Sequence, residues 1–154
     1  MKHSRSIAAI VGLSILLTSS LAMARSIPGF SGYTPNPADA SCWVFGRNSL
    51  GAVKNNCATT KTWLIPLAVD GAGNYSVTVY GFAATAATNI SCTAVGANIS
   101  SDYQWWSQTA VLPATGSNQY MVLTGAYVPS GGKLYLSCDV GAYGFIHGVV
   151  WAQI

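Results

Sequence analysis

The sequence contains no glutamate; its four acidic side chains are all aspartates. Charged residues make up 7% of the chain, so its surface must be wetted mainly by Ser, Thr, Asn, Gln and backbone. There is no basic stripe to capture phosphates, and no nucleic-acid partner is expected. Histidine is nearly missing as well. Beyond His3, only His147 occurs. General acid–base catalysis needs a group that titrates near working pH. No G-x-S-x-G element accompanies His147, and nothing in the aspartate spacing suggests a carboxylate pair. No catalytic residue is assigned, and the chain reads as a non-enzyme. No cysteines stand at C-x2-C spacing, which argues against zinc. "DGAGN", Asp70–Asn74, carries one carboxylate where a calcium loop draws on several, and reads as a tight turn. Neither a metal nor another cofactor is expected.

The one sustained apolar run lies at the start. In "MKHSRSIAAIVGLSILLTSSLAMA", Lys2, His3 and Arg5 precede apolar residues from Ile7 to Leu17, and Ala22-Met23-Ala24 forms an A-x-A site. This is the layout of a secretory signal peptide, residues 1–24. The run falls short of the roughly 20 apolar residues that a span needs, so no membrane span is expected. The expected location is therefore secreted or periplasmic. Without that segment, Arg25, Arg47, Lys54, Lys61 and Lys133 face Asp39, Asp70, Asp102 and Asp139, a net charge of +1.

The remainder is rich in strand and turn signals. Residues 25–40, with Pro28, Pro35 and Pro37, read as a Pro-rich N-terminal arm without regular structure, flexible or docked. Residues 41–154 read as a single domain. Short runs succeed one another: "CWVFG", "TWLIPLAV", "YSVTVYGF", "NISCTAV", "SDYQWWSQTAVL", "QYMVLTGAYV", "KLYLSCDV" and "FIHGVVWAQI". Several alternate apolar and polar residues, the period of a half-buried strand. Gly, Pro and Asn separate them, and no segment carries a helical period with caps. The expectation is an all-β fold, a disulfide-stabilised antiparallel β-sandwich of about seven or eight strands. Pro66 marks its strand as an edge or a bulge.

Export to an oxidising compartment makes disulfides of Cys42, Cys57, Cys92 and Cys138. Cys92 and Cys138 both sit within strand-like stretches and suit a bridge between neighbouring or facing strands. That leaves Cys42 with Cys57, closing a local loop.

The adjacent Trp105 and Trp106 must point to opposite faces of a regular strand. Trp106 shares parity with Gln104 and Gln108, so Trp105 is expected inside and Trp106 outside. An exposed indole among amides is what a sugar-binding face offers; it is equally what a partly covered surface tryptophan looks like. Trp106, Gln104, Gln108 and Tyr135 are the candidate ligand-binding residues. The strand "FIHGVVW" places His147 in register with Phe145 and Trp151, more in keeping with packing than catalysis.

An early Cys, "VKNN", "IPLAVD", "YSVTVYGF", "ISCTAV" and "LYLSCDV" succeed one another over Cys42–Val140. In this order they resemble a loose group of small secreted bacterial proteins of unknown function, with an "N…CPL…D", "SC" and "Y-x-L-x-C" pattern. Ile65 stands where the group has a Cys, and the chain ends in a more apolar segment. The resemblance implies a secreted bacterial β-sandwich and supplies neither catalytic residues nor a ligand. The expected function is a secreted, non-enzymatic interaction or surface-associated module whose partner is an extracellular protein or a glycan. A small lectin-like carbohydrate-binding domain and a self-assembling subunit are the alternatives.

Overall fold

The computed structural model describes residues 23–46 and 51–154. Most of the expected signal segment, residues 1–22, lies outside the described residues. The described chain forms eleven strands: β1 (Arg25–Pro28), β2 (Trp43–Phe45), β3 (Val53–Asn55), β4 (Lys61–Leu67), β5 (Gly73–Phe82), β6 (Ile90–Ala97), β7 (Gln104–Trp106), β8 (Ala110–Val111), β9 (Asn118–Val128), β10 (Lys133–Val140) and β11 (Phe145–Gln153). The count exceeds seven or eight because five strands, β1, β2, β3, β7 and β8, are only two to four residues long. Such short pieces carry too few residues to show an alternation.

The strands form two antiparallel sheets. One has six strands in the order β2-β3-β11-β5-β9, with β1 also paired to β11. The other has five, β4-β10-β6-β7, with β8 also paired to β6. The two sheets enclose one core. Tyr75, Val77 and Val79 of β5 meet Leu134, Leu136 and Cys138 of β10 within it, all fully buried. Polar or smaller residues take the alternate positions, as the period of two requires.

The chain crosses repeatedly between the two layers. The β4–β5, β5–β6, β9–β10 and β10–β11 links each carry it from one sheet to the other. The tight turn after β9 shows how: Gly131 takes φ +70°, and the Gly132 N–H donates to the Pro129 carbonyl at 2.8 Å. A left-handed residue there suits glycine.

Two disulfides lock this frame. Cys92 and Cys138 stand directly opposite each other on β6 and β10, with Cα atoms 4.1 Å apart. Cys42 joins Cys57 across the β2–β3 corner. Pro66 lies on β4, an edge strand, where a missing N–H costs no ladder bond.

The segment 25–40 is docked, not loose. Residues Arg25–Pro28 pair with Gly148–Trp151 of β11. Beyond them the Trp63 indole N–H donates to the Gly29 carbonyl at 2.9 Å, and Tyr33 bridges to Leu64. Gly29 and Gly32 permit this, since a Cβ at either would meet a backbone oxygen, at 2.1 and 2.2 Å respectively. Prolines disguise the strand in the sequence, yet the segment ends as part of the six-stranded sheet.

Candidate functional site

Each sheet turns one face to solvent. On the five-stranded sheet, Pro66, Tyr135, Val95 and Trp106 fall in one row across β4, β10, β6 and β7. Trp106 is 59% exposed, and Tyr135 is half-buried two strands away. Gln104 is exposed in a neighbouring row, opposite Ala97. Gln108 does not continue β7. The strand ends at Trp106, and Ser107 turns inward, its hydroxyl accepting the Ala94 N–H at 2.9 Å. Gln108 is therefore exposed in the connection beyond the strand.

Trp105 departs from expectation. It faces the other sheet, but at 37% exposure it lies at the rim, edge-on to Tyr127 of β9 at 5.5 Å. The reason is its neighbour Gly96. A Cβ there would come 1.8 Å from the Tyr127 carbonyl, so the two backbones meet too closely to admit an indole between them.

The outer face of the six-stranded sheet is more concentrated. Lys54, Phe145, Phe82 and Asn118 form one row across β3, β11, β5 and β9. The next row holds Gly148, Tyr80 and Tyr120. Between the rows His147 occupies a β-bulge, where the register with β5 slips between Ile146 and Gly148. A bulge adds one residue to one strand and re-aims its side chains. His147 thus joins Phe145 on the solvent face while Trp151 stays in the core, 4% exposed. Its expected register with both is corrected by the bulge, which simple alternation does not anticipate.

Tyr80, Tyr120, His147, Asn118 and Gln119 line an open depression of about 540 Å³. The tyrosine rings stand 6.0 Å apart and tilted by 42°. The His147 ring stacks parallel to Phe145 at 6.2 Å, and its Nε2 meets the Asn118 side-chain oxygen at 3.1 Å. Phe82 packs edge-on against Phe145 at 5.8 Å. Partial burial holds the imidazole pKa below its ordinary value, so His147 is neutral at pH 7. Its partner is an amide, not a carboxylate. The depression therefore offers ring faces with polar tips and neutral hydrogen-bonding groups. This chemistry suits an uncharged, hydroxyl-rich ligand with C–H faces.

Sequence reasoning reached Trp106 and passed over this face. Tyr80, Tyr120 and His147 come from three strands that adjoin only after the chain has crossed between sheets several times. The outward alternation of Tyr80 in "YSVTVYGF" is the one local trace of it.

Among the described residues, no three His, Cys, Asp or Glu side chains converge on a metal-sized site. No described helix is long and apolar enough to cross a membrane.

No protein-family model and no curated protein sequence matches the chain. Its fold does have likenesses among solved structures. The C-terminal CBM6 of LamC, a marine laminarinase from Zobellia galactanivorans, superimposes with a TM-score of 0.60 at 14% identity, over 85% of this chain and 100% of that one. A carbohydrate-binding module, CBM6cm-2 of Cellvibrio mixtus lichenase 5A, in complex with cellotriose, gives 0.53 at 10%, over 84% and 97%. The GH26-CBM35 β-(1,4)-mannanase of Podospora anserina gives 0.54 at 10%, over 85% of this chain and 28% of that one. At such identities these likenesses establish the β-sandwich fold.

Proposed function

We propose that this chain is a non-catalytic, extracytoplasmic carbohydrate-binding module that holds a glycan on the outer face of its six-stranded sheet. The observation that carries the reading is the Tyr80–Tyr120–His147 depression, with the Asn118 amide at its rim. Pyranose rings present C–H faces to aromatic rings and hydroxyls to amides, and this depression supplies both. The fold supports the reading, since the laminarinase and lichenase modules share it and the latter was solved with cellotriose. Two disulfides fit an oxidising compartment outside the cytoplasm.

The opposite face supports a second placement of the same function. Trp106 is exposed and shares a row with Tyr135, with Gln104 beside it. The test runs residues Arg25–Ile154, oxidised, against soluble β-glucans, mannans, xylans and pectins, with Tyr120→Ala and Trp106→Ala in parallel. Binding lost in Tyr120→Ala and kept in Trp106→Ala supports the six-stranded face. The reverse moves the site to Trp106. Retention of no glycan by the wild type overturns the carbohydrate reading and favours a protein partner.

A further inference from the structure

The aromatic depression does not stand alone on its face. Moving from β9 across β5 and β11, the row reaches Lys54 on β3 and closes with the exposed Val44 on the edge strand β2. Its Nζ lies 5.2 Å from the Phe145 ring centre and 5.4 Å from that of Tyr143. Aromatic faces attract an ammonium at this distance, but they accept few of its three donors. Among the described residues, no carboxylate or other acceptor bonds Lys54. The aspartates are committed elsewhere. Asp39 pairs with Lys61 and Asp70 with Arg25. Asp139 takes a bond from Thr62 on the five-stranded sheet, and Asp102 takes one from Ser100. Lys54 is thus the one charged side chain among the described strand residues of this face.

The corner around Lys54 is held in place. Asn55, the next residue, is fully buried, and its side-chain amide donates to the carbonyls of Thr59 and Val140 at 2.8 Å each. Its backbone binds the turn before β11 on both sides: Asn55 N–H to Gly144 O at 3.0 Å, and Tyr143 N–H to Asn55 O at 2.9 Å. Tyr143 sits in that turn with φ +62°, a left-handed conformation that is unfavourable for an aromatic residue. Strain of this kind persists only where the surroundings impose it. Here the clamp by Asn55 keeps the Tyr143 ring against Lys54.

Resting on the proposed carbohydrate-binding function, we infer that the preferred ligand is an anionic glycan chain lying across the strands, with an acidic sugar at Lys54 and a neutral ring face on Tyr80 and Tyr120. The two ends are three strand spacings apart, about 14 Å. A single sugar cannot reach both, so charge selectivity belongs to oligomers.

The test uses two polymer pairs, each an acidic and a neutral form of one backbone: polygalacturonate against its methyl ester, and C6-oxidised cellulose against soluble neutral cellulose derivatives. The wild type is expected to bind the acidic member of at least one pair about fivefold tighter at low salt. Lys54→Gln and high salt abolish that difference, Lys54→Arg keeps it, and galacturonic acid monomer shows none. Equal or weaker binding to the acidic members overturns the inference and leaves the carbohydrate reading intact. Failure to bind either pair also overturns it, while the neutral β-glucans and mannans of the first screen judge the broader reading on their own. Circular dichroism of Lys54→Gln confirms that any loss is not unfolding.

Discussion

The two outer faces of this sandwich are built by the same alternation and end up chemically opposed. The five-stranded sheet shows hydroxyls along most of its length: Thr62 bonds Asp139, and Thr93 bonds Thr109 across to the β7–β8 connection. Its aromatics, Tyr135 and Trp106, are separated by Val95. The six-stranded sheet carries Tyr80 against Tyr120, and Phe145 against both Phe82 and His147. A hydroxyl face already bonded to itself has little to offer a sugar. A clustered aromatic face has much, and burying it under a ligand releases ordered water.

The largest expected effects concern what holds each sheet. Replacing Cys92 and Cys138 with Ala removes a bridge closing 46 residues and is expected to cost about 4 kcal/mol, against about 3 kcal/mol for Cys42 and Cys57, which close 15. Denaturant unfolding of the two double variants measures both. Equal losses would show that the unfolded chain does not set the difference. Gly96→Ala sharpens the comparison where the sheets touch. Its Cβ would meet the Tyr127 carbonyl, and forcing the sheets apart is expected to cost about 3 kcal/mol. A variant of unchanged stability would mean that the rim yields easily.

Binding effects come next. Tyr120→Ala is expected to weaken glycan affinity by about tenfold or more, while Trp106→Ala leaves it within about twofold. Isothermal titration with the tightest glycan reads the contrast directly, and similar losses in both would erase the distinction between the faces.

The smallest effect is electrostatic. Burial depresses the His147 pKa, so the folded state takes up its proton less readily than the unfolded state does. This contribution to stability is fully present above the unfolded value of about 6.5 and is lost as pH falls through the lower folded value. Lys54 is the nearby charged side chain on the same face. His147→Gln should flatten this part of the pH–stability curve, as thermal melts across mildly acidic pH would show. A curve of unchanged shape would place the acid sensitivity elsewhere.

The sequence by itself determined the fold class. The run of short alternating segments, the turn residues between them and the strand-borne Cys92 and Cys138 are local signals, and local signals survive in one dimension. It also narrowed Pro66 to an edge or a bulge, because a residue without an N–H fits few places in a sheet, and the strand order made it an edge. Only the tertiary structure decided which residues meet. Parity put Trp105 inside, but the close approach of Gly96 to Tyr127 moved it to the rim. Prolines hid β1, although pairing with β11 absorbed it. His147 reached the aromatic face through a bulge, which breaks the period that sequence patterns obey. The depression itself is a product of topology. The chain alternates between sheets, so Tyr80, Tyr120 and His147 become neighbours across hydrogen-bonded strands that are distant along the sequence. That adjacency comes from how the chain crosses the core, and no window of sequence contains it.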